Sequence, residues 1–431
     1  MSALVTIIIA LLVSITAIIV LTRYLNLPAF FSLLIAAAIC GTITGLTISN
    51  IISLMQEGFG LLLRQIGFLV ALGSCLGMML EKTGAMEVIS KKVVSWFGAK
   101  RSTLALSFTG IVVGIPVFCD SGFIILSRLI PSIASQTSVL PAELSLALSS
   151  GLYTTHTLVP PTPGPLAAAV NLGLENQIPV MMVIGIVASI PVGLVAYVFA
   201  RKFAKGIITT QKHEVIETPN INAFLAFLPL ILPIILIGLS SLPFTFLKVI
   251  GNPIVAISIG LALSFLLIKK KSGWPSWLSD ALKDAGIILL ITGAGGAFGA
   301  VIKASGLDGV LKEYVSGSSS HGVIFLLIAF VIAAALKTAQ GSTTTSMIIT
   351  SGLLVPLIAS AGFDTTPELS ALVIAIAGGA MTVSHANDSY FWVVSQFGGI
   401  SPRDAFRSFT LITGLQGLTA LLMSILVFLV L

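Results

Sequence analysis

Uncharged apolar runs of about twenty residues recur from one end of the chain to the other. No other feature restricts the fold as much. Twenty residues of helix rise about 30 Å, the thickness of a bilayer's hydrocarbon core. Backbone in lipid must satisfy its own hydrogen bonds, which leaves helices or a closed barrel. A barrel would show short segments of alternating polarity, and the runs here are continuous. Only 9% of the 431 residues are charged, against the roughly 25% of a soluble globule. The chain is expected to be an all-α polytopic membrane protein. Met1 to Leu21 has no basic residue ahead of its apolar run and no small-residue cleavage site, so it predicts a first span and not a secretory signal. Cys40, Cys75 and Cys119 lie singly in apolar segments, a spacing that suits neither a metal site nor a disulfide. The net charge of +6 comes mostly from residues flanking spans and does not point to nucleic acid.

Full spans are expected near 2–21, 28–48, 66–81, 141–171, 178–200, 222–242, 249–268, 284–302, 366–398 and 408–431. Two runs, 102–136 and 322–361, are too long for one helix. Each has a polar, Gly-containing centre, Pro116 to Gly122 and Lys337 to Thr345. They predict re-entrant hairpins, because non-helical backbone is tolerated at membrane depth only where it lines a cavity. Placing 22–27, 81–103, 201–221, 269–283 and 399–407 in the cytoplasm puts sixteen Lys and Arg on that side. The opposite side then holds four, Arg64, Lys248, Lys303 and Lys312, as the positive-inside rule requires. Both termini fall on the outer, periplasmic side.

Short matches recur at a shared offset. Leu27-Pro28 aligns with Asn252-Pro253, Pro131 to Ala134 with Pro356 to Ala359, and Glu143 to Ser145 with Glu368 to Ser370, each 225 residues apart. Gly73, Gly77 and Gly84 return 222 residues later as Gly295, Gly299 and Gly306. This predicts a first repeat over 1–200, with the hairpin at 102–136 and a broken helix over 141–171. A second repeat covers 222–431, with the hairpin at 322–361 and a broken helix over 366–398. The basic segment 201–221 is a solvated cytoplasmic linker. Each repeat has five spans and one hairpin; five is odd, so the repeats are inverted, the plan of secondary transporters.

Four polar breaks interrupt the apolar runs: Asp120-Ser121-Gly122, Tyr153 to Thr157 with Pro160 to Pro165, Gln340 to Ser346, and Ser384 to Ser389. The proline run ends one helix, and Pro165 suits the first turn of the next, whose free amides make an anion site. A single break is as well explained by a kink capped through Ser or Thr; four at matched positions point to a site. Candidate substrate ligands are Ser121, Thr155, His156, Thr157, Gln340, Gly341, Ser342, Thr343, Ser384, His385 and Asn387. Asp120, Asp388 and His156 are candidate proton carriers, since ionisable groups inside a membrane are costly and mark ion pathways. The blander reading of each is a hydrogen-bonded anchor, and Na⁺ held by Asp and carbonyls stays open. Lys337 is expected to meet a substrate carboxylate or to snorkel to the outer interface. Gly293 to Gly299 predicts close helix packing, because no strand precedes it as a dinucleotide loop requires. Glu143 and Glu368 are expected to cap helix starts. An intramembrane enzyme would need a nucleophile–base pair, which the sequence does not offer.

Four stretches, in order, resemble hallmarks of the gluconate permease (GntP) family. They are Pro116-Val-Phe-Cys-Asp120-Ser-Gly-Phe-Ile-Ile-Leu126, His156-Thr-Leu-Val-Pro-Pro-Thr-Pro-Gly-Pro165, Ala339-Gln-Gly-Ser342 and Ser384-His-Ala-Asn-Asp388-Ser. The resemblance spans essentially the whole chain. It implies proton symport of a sugar acid or small hydroxy acid, gluconate- or glycerate-like, by alternating access in a bacterial inner membrane. Membership in the ion-transporter superfamily would add a homodimer of scaffold and transport domains, the latter moving as an elevator. The resemblance assigns substrate and proton handling to Asp120, Ser121, His156, Thr157, Gln340, Gly341, Ser342, His385, Asn387 and Asp388. The implied partners are the anionic substrate, a proton, lipid and a second copy, with no cofactor. A Na⁺-coupled carboxylate carrier and a D-serine transporter of the same family are the alternatives. Cys119, Thr162 and Tyr390 depart from the family pattern, where Phe, His and a small residue are expected, and bear on which acid is carried.

Overall fold

The computed structural model describes residues 3–25, 27–137, 139–210, 221–240, 244–268, 273–305, 319–359, 361–385 and 388–431. Every regular element among them is helical. The first half runs α1 (Ala3–Arg23), α2 (Ala29–Ile43), α3 (Ile48–Lys82), α4 (Ala85–Phe97), α5 (Ser102–Val113), α6 (Cys119–Leu126), α7 (Ile130–Gln136), α8 (Pro141–Leu158), α9 (Pro163–Asn171) and α10 (Ile178–Phe203). The second runs α11 (Ala223–Leu239), α12 (Thr245–Ile250), α13 (Pro253–Ser264), α14 (Trp274–Ala304), α15 (Ser319–Gln340), α16 (Thr343–Leu354), α17 (Thr366–Met381), α18 (Ser389–Phe397), α19 (Pro402–Arg407) and α20 (Phe409–Val430).

Uniform spans of about twenty residues are not how the chain is built. Among the described residues, α10, α14 and the run Pro402–Val430 are each long and apolar enough to cross a bilayer, and α3 is a fourth if its bent halves count as one. By contrast α2, α11 and α13 have 15, 17 and 12 residues. Pro28 and Pro253 sit at the starts of α2 and α13, fixing where each can begin.

Three expected boundaries move. The span expected at 66–81 is the second part of α3, which starts at Ile48 and bends by 46° between Arg64 and Gly67. Gln56, Glu57 and Arg64 suggest a connection over 49–65, but they are exposed while Ile51, Gly58 and Leu62 are buried on the opposite face. That is the spacing of an amphipathic helix. The expected loop 81–103 contains α4, which buries Ala85, Met86, Ile89 and Val93 and exposes Lys91 and Lys92. The span expected at 284–302 begins instead at Trp274.

Glycines set the closest helix crossings. A Cβ on Gly58 of α3 would lie 2.3 Å from the carbonyl oxygen of Gly296 in α14, and one on Gly296 would lie 2.5 Å from that of Gly58. The run Gly293 to Gly299 is thus a packing surface. In the same way α8 lies on α5: a Cβ on Gly151 would be 2.3 Å from the Ser107 carbonyl oxygen, and one on Gly110 would be 2.6 Å from that of Leu148.

Each of the four polar breaks lies at a junction of two helices, Asp120 to Gly122 in the first turn of α6 and Tyr153 to Thr157 in the last turns of α8. Between α5 and α6 the chain turns over Gly114 to Phe118. Between α8 and α9 it passes Pro160-Pro161, a cis pair. Between α15 and α16, Gly341 takes φ 80°, a conformation open to glycine at no steric penalty, and Ser342 then caps α16 by accepting the Thr345 N–H at 3.2 Å. Between α17 and α18, Asp388 is the N-cap, accepting the Tyr390 N–H at 3.1 Å.

The two glutamates differ from one another. Glu368 closes a capping box at the start of α17: its carboxylate accepts the Thr365 N–H at 2.8 Å and Thr365 Oγ1 accepts the Glu368 N–H at 3.4 Å. Glu143 is not a cap. It accepts the Thr103 hydroxyl at 2.6 Å and pairs with Arg201 at 3.5 Å. Thr365→Ala is expected to lower stability by about 1 kcal/mol, seen as a lower unfolding temperature in detergent with uptake unaffected. An unchanged melting curve would show that the box contributes nothing.

Candidate functional site

The breaks converge on a cavity of about 290 Å³. Phe118, Cys119 and Asp120 line it from the start of α6, and Tyr153 and His156 from the last turns of α8. Gly341, Ser342, Thr343 and Thr344 face it from the start of α16, and Asp388, Ser389 and Tyr390 from the start of α18. The two halves therefore share it. They are joined beside it by Tyr153 Oη and Thr343 Oγ1 at 2.7 Å, by the Gln416 amide donating to Thr154 Oγ1 at 2.7 Å, and by the Asn171 amide donating to Ser351 Oγ at 2.8 Å.

Lys337 lies behind this lining. Its side chain neither snorkels nor reaches the cavity; the residue is 1% exposed. The ammonium donates to the Gly341 carbonyl at 2.6 Å, to Thr343 Oγ1 at 3.1 Å and to Asp388 Oδ2 at 2.6 Å. Ser384 Oγ donates to the same carboxylate oxygen, and the Tyr390 N–H takes the other. An ammonium or carboxylate taken out of water loses several kcal/mol of hydration. Here both are compensated by each other and by a full set of hydrogen bonds.

Asp120 is held far more loosely. It sits in the first turn of α6, where the helix dipole favours an acid. Ser389 Oγ donates to its Oδ1 at 3.4 Å, and Cys119 Sγ to its Oδ2 at 3.6 Å. The first is long, the second comes from a thiol, a weak donor, and no ion pair among the described side chains includes it. His156 is 6% exposed, its ring 5.8 Å from that of Phe118, and its Nδ1 has no hydrogen-bond partner among the described residues. The residue lines the cavity, but Nδ1 itself is buried, so a ligand would reach it only after a small shift of the ring. The first-turn residues Thr343 and Thr344 of α16 face the same space, at the end of the helix that favours anions.

The sequence-predicted residues divide accordingly. Asp120, His156, Gly341, Ser342, Thr343 and Asp388 meet at the cavity. Thr155 and Thr157 do not: their hydroxyls donate to the carbonyls of Ile111 and Tyr153, both at 2.8 Å. Ser384 is buried and serves Asp388, its N–H donating to Thr413 Oγ1 at 3.0 Å. Ser121 and His385 are half-buried and outside the lining. The side chain of Gln340 and the whole of Asn387 lie outside the described residues, as does the side chain of Arg128. Phe118, Cys119, Tyr153, Thr344, Ser389 and Tyr390 also line the cavity, though the sequence points to none of them as a ligand. Tyr390 donates to the Ser149 carbonyl at 2.8 Å and packs against Tyr153 with ring centres 5.4 Å apart and planes tilted by 34°. The signal for both tyrosines was an aromatic hydroxyl within each polar break.

The volume is at the small end of ligand sites, which run about 300–1,000 Å³. An imidazole, a carboxyl, hydroxyls and a helix amino-terminus suit a small polar anion. No cluster of His, Cys, Asp and Glu able to hold a metal ion occurs among the described residues. Apolar helices with broken ends meeting at one polar cavity define a membrane transport protein. The chain belongs to the GntP permease family: the family model described as "GntP family permease" matches residues 5–430. It is 32% identical over 432 residues to an uncharacterized permease of Haemophilus influenzae, covering 91% of this chain and 86% of the relative. It is 31% identical to the inner membrane permease YgbN of Escherichia coli, covering 92% of each. To the gluconate permease of Pseudomonas aeruginosa it is 28% identical, covering 97% of each. Among solved structures it is similar to the Alcanivorax borkumensis YdaH transporter, with a TM-score of 0.60, 16% identity and 85% and 86% of the two chains covered. That likeness bears on the fold alone. The protein is thus a permease and not an enzyme.

Proposed function

We propose that this permease carries gluconate or a similar small hydroxy acid into the cell by proton symport across a bacterial inner membrane. The observation that carries the reading is the charge arrangement at the cavity. Lys337 is already bound to Asp388, and Asp120 faces the cavity with no cation of its own among the described side chains. With Asp120, Asp388 and Lys337 all ionised, the site bears one net negative charge. An entering carboxylate would make it two, and like charges repel strongly away from water. A proton arriving on Asp120 offsets the substrate's charge, so acid and proton travel together.

In this reading the substrate carboxylate meets the α16 first turn, and the His156 imidazole and the hydroxyls at Ser389 and Thr344 read its hydroxyl groups. Relatives named gluconate permease support the substrate class. The halves 1–200 and 222–431 act as inverted repeats joined by 201–221, with hairpins at 102–136 and 322–361. What supports the pairing is the recurrence of elements: α8 and α17 begin at Pro141 and Thr366, and α9 and α18 at Pro163 and Ser389. Alternating access, elevator motion of the part holding the breaks, a homodimer and periplasmic termini complete the proposal. Its test is gluconate uptake into proteoliposomes without Na⁺. Accumulation is expected when the outside is made acidic. Accumulation that persists after the pH gradient is collapsed would overturn proton coupling, and uptake that follows a Na⁺ gradient at fixed pH would assign the Na⁺-coupled alternative.

A further inference from the structure

We infer that Lys337 is a positioning residue: its ion pair with Asp388 fastens the α15–α16 break to the α17–α18 break, and by supplying Asp388 with a counter-ion it leaves Asp120 as the cavity carboxyl that exchanges its charge with substrate and ion. The inference rests on the proposed reading of the cavity as a proton-coupled site.

An ammonium has three N–H donors. Those of Lys337 go to Gly341, Thr343 and Asp388, which leaves none for a ligand. The first two acceptors belong to the start of α16 and the third to the cap of α18, so one side chain ties together two breaks through a partner 51 residues away in sequence. Thr343 Oγ1 also meets Tyr153, which extends the tie to α8 in the other half. A substrate carboxylate could take Lys337 only by displacing Asp388. That would strand a carboxylate that is 4% exposed, the arrangement that buried ion pairs exist to avoid. Lys337 therefore serves the protein and not the substrate.

The titratable groups around Asp120 are Cys119 beside it on α6, Tyr153 and His156 on α8, Asp388 with its Lys337, and Tyr390 on α18. Of the two carboxylates, that of Asp388 has three attachments in its role as cap and ion-pair partner, to the Lys337 ammonium, the Ser384 hydroxyl and the Tyr390 N–H. That of Asp120 has two weak side-chain contacts, a long one to Ser389 and one to the Cys119 thiol. A group that must change charge in each cycle belongs where few contacts depend on that charge.

The test compares full-length Lys337→Met, Asp388→Asn and the doubly neutral Lys337→Met/Asp388→Asn by thermal unfolding and by the pH profile of gluconate uptake in proteoliposomes. Each single variant strands one buried charge and is expected to lose both stability and uptake. The double variant strands none, and Asn can still cap α18. It is expected to regain stability and pH-dependent uptake at a reduced rate, with the wild-type pH midpoint. A Lys337→Met protein as stable as wild type overturns the fastening role. A double variant that folds but whose uptake ignores pH overturns the division of labour, because the pair would then take part in coupling. If the double variant does not fold, Lys337→Arg decides: a slower carrier with an unmoved pH midpoint is expected, and a shifted midpoint overturns the inference. Wild-type uptake that ignores pH defeats the proposed function alone, and the stability comparison still decides the fastening.

Discussion

Asp120→Asn is expected to abolish pH-driven accumulation while leaving the protein folded. Asparagine matches the protonated carboxyl in shape and lack of charge, and the contacts of Asp120 to Ser389 and Cys119 are weak, so the fold depends little on its ionisation. A gradient of one pH unit supplies about 1.4 kcal/mol per proton, worth about a tenfold concentration ratio. Wild-type vesicles should reach a ratio of that order with one coupled proton, and the variant should stop near unity whatever the gradient. Exchange of labelled for unlabelled gluconate, which needs no net proton movement, should survive. Accumulation by Asp120→Asn that still tracks pH would move the proton to Asp388 or His156.

Gly151→Leu is expected to be the most damaging packing change near the site. A Cβ there would stand 2.3 Å from the Ser107 carbonyl oxygen, a backbone atom that cannot swing aside. The added side chain must push α8 off α5. Overpacking a well-filled interior costs about 1–3 kcal/mol and occasionally more. The damage is functional as well, since α5 leads into the Asp120 break and α8 carries Tyr153 and His156. The measurement is the yield of monodisperse protein together with its unfolding temperature, compared with Gly60→Leu, where nothing lies within 4 Å of a new Cβ. Equal behaviour of the two variants would show that the α5–α8 crossing is not tight.

The helical membrane architecture and the four breaks were legible in the sequence because they rest on strong, local signals. Pro160 to Pro165 cannot continue a helix, and the chain does stop at Leu158 and restart at Pro163. A Gly-Ser pair at 341–342 marks a turn and a cap for the same kind of local reason. The early part of α3 was not legible as helix because Glu57 and Arg64 depress its hydropathy, although its buried face repeats at helical spacing. What a hydroxyl does was also hidden. Thr155 and Thr343 both stand in polar breaks, yet one is spent on the Ile111 carbonyl and the other faces the cavity. That difference depends on which neighbouring helix lies alongside. Lys337 was conspicuous as a lone cation in an apolar run, but its partner, 51 residues away, is set by tertiary packing alone.

The contact of Gly58 with Gly296 has a consequence for how such a protein can diverge. Most packed pairs can drift by compensation, one side growing as the other shrinks. Two glycines cannot, because neither has a side chain to give up, and each faces the other's carbonyl oxygen. No series of small steps leads away from that crossing. At the cavity the situation is reversed, since Ser389, Thr344 and Phe118 line open space and can be exchanged one at a time. A lineage built on this plan would keep the α3–α14 seam while revising its substrate, so new specificities would be reached by changing the rim and not the frame.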